Sequence, residues 1–464
     1  MNLQRWLLVY FLVLSCLIEL SCNKDDNTLP PVIAVDANIS SLSSGASFNC
    51  FNCHSETTEL GNKIEWAKAG WDESVHANGY RAAIYGYNPT TLWTIIGYEW
   101  EGSDAFYSNG GGCQVCHTKE GFRKKIAGTY GNYNPLSVGY VAYRSAITTD
   151  VIQYPSNLTC FACHSPHEKG NFELLVADGS DVTTETGALY MKSQGSICAS
   201  CHQVRLSGSA SANESILAQV QGNGVSNRTG PHHGPQADML LGKGGAEYTG
   251  KSYGNSSHTA NDAANCISCH KVDDFDESKR LSLSPAVGGH SFTTVGIVHG
   301  TPKAIDIGCK TTGCHPTGVS AKTISADDGY LLKGDAYFDK SSYYSQLNTT
   351  LVKLADPSAN CTGLLQTAYN AITGGNIQWK KYPDGITVNK RCIVSSFTKI
   401  PANPTATENS NETRFAKAYW NFLFALEDKS FGVHNLRYAS QLLYDSCDDL
   451  NSLTASGVNC GARP

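Results

Sequence analysis

Cys160-Phe161-Ala162-Cys163-His164 places two thiols three residues apart and an imidazole directly after the second. The same C-x-x-C-H pattern runs from Cys50 through Cys53 to His54 and from Cys113 through Cys116 to His117. It recurs from Cys198 through Cys201 to His202 and from Cys266 through Cys269 to His270. At this cysteine and histidine content one such match would arise by chance roughly 0.02 times. A looser C-x4-C-H follows, with Cys309, Cys314 and His315. The first cysteines are separated by 63, 47, 38, 68 and 43 residues, and that irregularity excludes a solenoid with a fixed repeat.

Each element of the pattern has a physical role. Two thiols at this spacing on a helical turn add across the two vinyl groups of a haem and form thioethers. The adjacent histidine then lies under the iron as its proximal ligand. Zinc is the competing reading of paired cysteines, but zinc does not require a histidine after every pair. Six covalent haem c groups are therefore expected, with His54, His117, His164, His202, His270 and His315 as proximal ligands.

Axial ligation decides whether such irons exchange electrons or bind substrate. The chain has three methionines, one of them Met1, so Met191 and Met239 could serve two haems at most. Fourteen histidines, six of them proximal, leave eight for the distal positions, and ligation by two histidines is the expected rule. Distal candidates are His76, His167, His232, His258, His290, His299 and His434. His232 and His233 supply one ligand between them, with His232 favoured. Which candidate faces which haem is open at this point.

Several flanking patterns resemble those of multihaem c-type cytochromes. Trp71-Asp72-Glu73-Ser74-Val75-His76 is similar to the W-x-x-S-x-H of distal helices in that superfamily. Asn255-Ser256-Ser257-His258 and Gly289-His290-Ser291-Phe292 have the same look. In Cys163-His164-Ser165-Pro166-His167 the second histidine resembles a donor to a neighbouring haem. The stretch from Asp428 to Asn435, followed by Tyr438-Ala439 and Leu442-Leu443, closely resembles the terminal helix of many such proteins, pentahaem nitrite reductase relatives included. There the residue corresponding to His434 is a distal ligand. The resemblance spans residues 50 to about 445 and implies a mainly α fold with extensive irregular loops around stacked haems, with few or no β-strands.

Only 16% of the residues are charged, while glycine (44) and tyrosine (23) abound, which suits loops wrapped around something rigid better than long helices laced with ion pairs. The formal charge of −6 argues against a nucleic-acid partner. Arg5 and the apolar run from Trp6 to Leu14 read as an export signal too short to span a bilayer. Glu19-Leu20-Ser21-Cys22 resembles a lipobox, with Cys16 as the rival lipidation site. The following Asn23-Lys24-Asp25-Asp26 looks like the lipoprotein export signal of Bacteroidetes. That resemblance implies a lipid anchor at the outer membrane, facing the cell exterior; a soluble periplasmic protein is the alternative.

The expected organisation is a signal over 1–21, a flexible tether over 22–46, a haem domain over 47–320 and a helical region over 321–464. Ser341 to Leu354 and Thr413 to Leu426 read as amphipathic helices, and Gly432 to Tyr444 as a further helix. Pro401 and Pro404 mark a linker. Cys361, Cys392, Cys447 and Cys460 belong to no haem motif. In an oxidising compartment they predict two disulfides, with three pairings open.

The expected function is electron transfer through about six haems at the outer cell surface, to other redox proteins or cytochromes, a mineral or a shuttle. A multihaem oxidoreductase with one open iron acting on a small nitrogen or sulfur compound is the alternative, and a subunit of a cytochrome filament a third. Ammonia-forming nitrite reductases carry a C-x-x-C-K motif, and this chain has none.

Overall fold

The computed structural model describes residues 59–74, 76–77, 116, 119–127, 158–165, 172–176, 181–192, 195–204, 230–231, 234–272, 288–298, 301–304, 308–310, 314, 344–356, 359–381, 392–394, 407, 409–430 and 432–464. The expected signal, the expected tether with Cys22 and the expected Pro401–Pro404 linker lie outside them. The chain divides into two units, residues 1–65 and 66–464. Of the first unit the described part is the start of helix α1 (Glu59–Glu73).

Among the described residues the second unit is mainly helical. Its motif-bearing half contains α2 (Lys119–Ala127), α3 (Cys160–Cys163), α4 (Ser196–Ala199), α5 (Gln236–Leu241), α6 (Ser257–Ala260) and α7 (Cys266–His270). The C-terminal half contains α8 (Tyr344–Leu354), α9 (Leu364–Thr373), α10 (Asn411–Asp428) and α11 (Leu436–Thr454). Few strands were expected, and those described form three short antiparallel ladders. Strand β1 (Val182–Thr183) pairs with β2 (Leu189–Tyr190), in the register Val182 to Tyr190. Strand β3 (Val295–Val298) pairs with β4 (Thr301–Ala304), and β5 (Trp379–Lys381) with β6 (Cys392–Val394).

The largest core lies among α8 to α11. Trp420, Tyr419, Phe415, Phe424, Tyr438 and Leu443 are fully enclosed there, and burying each such side chain contributes about 1.5–3 kcal/mol. Helix α10 departs from the amphipathic reading, because it is buried on all sides. Its polar stripe, Lys417 with Asn421 one turn on, faces loop 244–254 rather than water. The indole of Trp420 donates to the Gly244 carbonyl at 2.8 Å. Asn421 accepts from Ala246 N–H at 2.7 Å and donates to its carbonyl at 3.0 Å, and the Lys417 ammonium sits 4.4 Å above the Tyr248 ring. Polar groups can be buried this way because each finds a partner.

Helix α11 fastens the other side of that loop. Gln441 accepts from Gly254 N–H at 2.7 Å, and the Tyr438 hydroxyl donates to Glu247 at 2.9 Å. The helix begins at Leu436, later than Gly432, because Asn435 caps it by accepting from Tyr438 N–H. Helix α9 had no counterpart in the sequence reading. Two disulfides close the region: Cys361 with Cys392, and Cys447 with Cys460. No helix among the described residues is long and apolar enough to cross a membrane.

Candidate haem centres

The three motifs with complete local description sit on single helical turns. In α3 the His164 N–H donates to the Cys160 carbonyl, and His202 does the same to Cys198. In α7 the Asn265 side chain caps the turn by accepting from Ser268 N–H at 2.9 Å. Residues i, i+3 and i+4 of a helical turn share one face, as Cys266, Cys269 and His270 do in α7, whereas α3 ends at Cys163 and α4 at Ala199, before their histidines.

Beyond the motif, the imidazoles are held by their Nδ1 atoms. His164 Nδ1 lies 3.4 Å from the Glu173 carbonyl, His202 Nδ1 3.0 Å from Gln236 Oε1, and His270 Nδ1 3.0 Å from the Phe292 carbonyl. Two distal candidates follow suit. His258 Nδ1 lies 2.6 Å from the Val433 carbonyl and His434 Nδ1 2.7 Å from Asp428 Oδ1. Each partner is an acceptor, so Nδ1 carries the proton and Nε2 keeps its lone pair for a metal.

Three proximal histidines each face a distal candidate from a distant part of the chain. The ring centroids of His164 and His290 are 6.2 Å apart, those of His270 and His434 6.3 Å, and those of His202 and His76 5.8 Å. Two imidazoles on opposite sides of one iron, each bonded at about 2.0 Å, hold their centroids roughly 6.3 Å apart. The observed separations lie close to that value. A zinc site would need three or four protein ligands at one point, and among the described residues no such group of three occurs. Met191 is 61% exposed, while Met239 is buried in the C-terminal core against Val204 and the aromatic helices.

Motifs touch one another, though not always in chain order, since the fourth meets both the fifth and the second. The Cys198 and Cys266 thiols are in hydrogen-bonding contact, as are those of Cys201 and Cys116. The Tyr190 hydroxyl lies 3.3 Å from Cys266 Sγ. The fifth and sixth motifs pack at Gly308, where a Cβ would run into the Ser268 carbonyl; only glycine admits this approach. On the other side of Cys314, Asn261 Nδ2 approaches its sulfur at 3.9 Å, and Lys192 fixes α6 by donating to the carbonyls of His258 and Asn261.

Phe292 occupies the junction. Its ring lies 5.3 Å from His76 and 6.0 Å from His290, while its carbonyl holds His270. It adopts a left-handed backbone conformation with φ of 55°, an uncommon state for a non-glycine residue. Trp71 stacks on His76 at 5.8 Å with the planes 4° apart. Sequence reasoning quoted Phe292 and Asp428 beside their histidines without assigning them roles, and had no signal for Gln236.

Burial lowers the pKa of His164 and His202, and lowers those of His270 and His290 to about 4. A lowered pKa favours the neutral imidazole, the form that metal ligation requires. His434 differs. Burial, the largest single influence, lowers its pKa, but the charge and hydrogen bond of Asp428 together outweigh it and leave it raised.

Cys50, Cys53, His54, Cys113, His117, His167, His232, His299 and His315 lie outside the described residues.

Residues 34–215 match the model of a family described as outer membrane cytochrome MtrC/MtrF-like, domains II/IV. The matched segment contains the first four motifs, and the last two lie beyond it. No curated protein and no solved structure matches the chain. With the motifs and ring geometry above, the family match supports a multihaem c-type cytochrome.

Proposed function

We propose that this chain is an electron-transfer protein carrying six haem c groups, with histidine on both faces of each iron whose ligands are described. The observation that carries the reading is the set of three imidazole pairs 5.8–6.3 Å apart, each joining a motif histidine to one from a remote segment. The haems, when bound, supply reversible one-electron chemistry at iron. The chain's own residues bind them through Cys160 and Cys163, Cys198 and Cys201, and Cys266 and Cys269. They orient the imidazoles through Glu173, Gln236, Phe292 and Asp428, and His76, His290 and His434 deny small molecules the sixth position.

The contacts between cysteines of different motifs favour a continuous redox chain over isolated centres. The family match to outer membrane cytochromes favours a place at the outer membrane, with a lipid on Cys22 as the anchor and other cytochromes or redox proteins as partners. His258, three residues before the Asn261 that approaches Cys314, is the distal ligand we assign to the sixth haem.

The test is carbon monoxide binding to the dithionite-reduced protein, measured against total haem and total iron. Six haems per chain and no carbon monoxide complex are the expected result. A stoichiometric complex at one haem would replace the electron carrier with an enzyme having one open iron. Complexes at three or more would overturn the assignment of the described pairs.

A further inference from the structure

Five described imidazoles are held at Nδ1, and their acceptors are not alike. His164, His258 and His270 use backbone carbonyls, and His202 uses the amide oxygen of Gln236. Only His434, among these five, uses a carboxylate. Asp428 is itself 2% exposed and stands at the last turn of α10. It is fixed from both sides. The Ser430 hydroxyl and N–H donate to Oδ2, and the Ser430 oxygen in turn accepts from the His434 N–H at 3.1 Å. Gln236 donates to the carbonyls of Glu427 and Asp428 at 3.2 and 3.1 Å. The same amide that holds His202 therefore also braces the helix end that holds His434.

An imidazole that donates Nδ1–H to a carboxylate gains imidazolate character and becomes a more basic ligand. A more basic axial ligand favours the ferric over the ferrous state and so lowers the reduction potential, one of the protein's levers on a haem. We propose that Asp428 sets the potential of the haem held by Cys266, Cys269 and His270, lowering it relative to the centres whose histidines lean on neutral oxygens. This rests on the reading that His270 and His434 face one iron.

The experiment is an optically monitored redox titration of the full, haem-loaded protein and its Asp428→Asn, Ser430→Ala and His434→Ala variants. Low-spin spectra and carbon monoxide binding are recorded alongside. Asparagine keeps an oxygen for the His434 Nδ1–H but carries no charge. Asp428→Asn is expected to raise one haem's reduction equilibrium constant about tenfold, about 59 mV for one electron, with every haem still low-spin. Ser430→Ala removes a donor that competes for the carboxylate and is expected to move the same haem the opposite way. That opposite sign is a readout that survives if Asp428→Asn fails to fold. Unchanged potentials in both variants, with His434→Ala opening one iron, would overturn the role of Asp428 and leave the ligation intact. Conversion of one haem to high spin in Asp428→Asn would make Asp428 an orienting residue only and also overturn the proposal. No open iron in His434→Ala would remove the ligation reading and this inference with it.

Discussion

Replacing His290 by alanine should open one iron and leave the others closed. The His290 and His164 rings face each other at 6.2 Å, and alanine ends at Cβ, far short of the metal. Among the described residues the ring of Phe292 lies 6.0 Å from that of His290, and it has no lone pair to offer. The charge of Lys271 acts on both His164 and His290, so a Lys271→Gln control is run alongside to exclude a substitute ligand. The expected carbon monoxide amplitude is one haem in six, counted from the six motifs. Truncating a half-buried imidazole costs about 1 kcal/mol in packing, and the core of α8 to α11 does not include it. The far-UV spectrum and melting profile should therefore stay close to those of the parent. Added imidazole should close the iron again. His76 belongs to a different pair, so His76→Ala should open one iron by itself and the double variant two. An amplitude equal to the parent's would refute the ligand assignment. Two open irons from His290→Ala alone would refute the independence of the pairs and point to Phe292 as a shared support.

Asn421→Ala removes three hydrogen bonds, to Ala246 N–H, the Ala246 carbonyl and the Ser446 hydroxyl. At roughly 1 kcal/mol each, denaturant midpoints should report a loss of about 3 kcal/mol. The Cys361–Cys392 disulfide spans 31 residues, and a serine pair in its place should cost about 3–4 kcal/mol by the chain-entropy relation, read by the same denaturation. Asp238 is buried beneath the hydroxyls of Thr184 and Thr186 and the Val204 N–H. Burial raises its pKa from 3.8 to about 6. A raised folded pKa means that its stabilising contribution is complete below pH 3.8 and lost as pH rises through about 6, a swing of about 3 kcal/mol. Between about pH 4 and 7, the window set by the two pKa values, Asp238→Asn should show a flatter stability profile than the parent, and parallel profiles would contradict this.

The haem motifs were legible because thioether attachment needs residues that are neighbours in the chain, and a local requirement leaves a local pattern. His76, His290 and His434 were legible as candidates for a similar reason, through short flanking sequences. Their pairing was not. His76 faces His202, and His434 faces His270, across more than a hundred residues, and nothing in the intervening sequence encodes which loop returns to which helix. The same holds for Cys361 and Cys392, whose pairing follows from the packing of α9 and the β5–β6 ladder. Helix α10 was misread as amphipathic because Lys417 and Asn421 are polar. Periodicity cannot tell water from a loop of the same chain that satisfies those groups. Asp428 stood six residues before His434 in a quoted stretch, but only the turn after α10 brings its carboxylate to Nδ1.

The closeness of the His270 and His434 rings also has a consequence for biogenesis. A chain exported from its N-terminus delivers Cys266, Cys269 and His270 well before His434 emerges. Thioether formation at that motif needs only the local helical turn, whereas the opposite face waits for α10 and α11 to form and dock against loop 244–254. On the proposed ligation, the docking of α10 and α11 acts as a clasp on the maturing protein and determines when that centre becomes sealed.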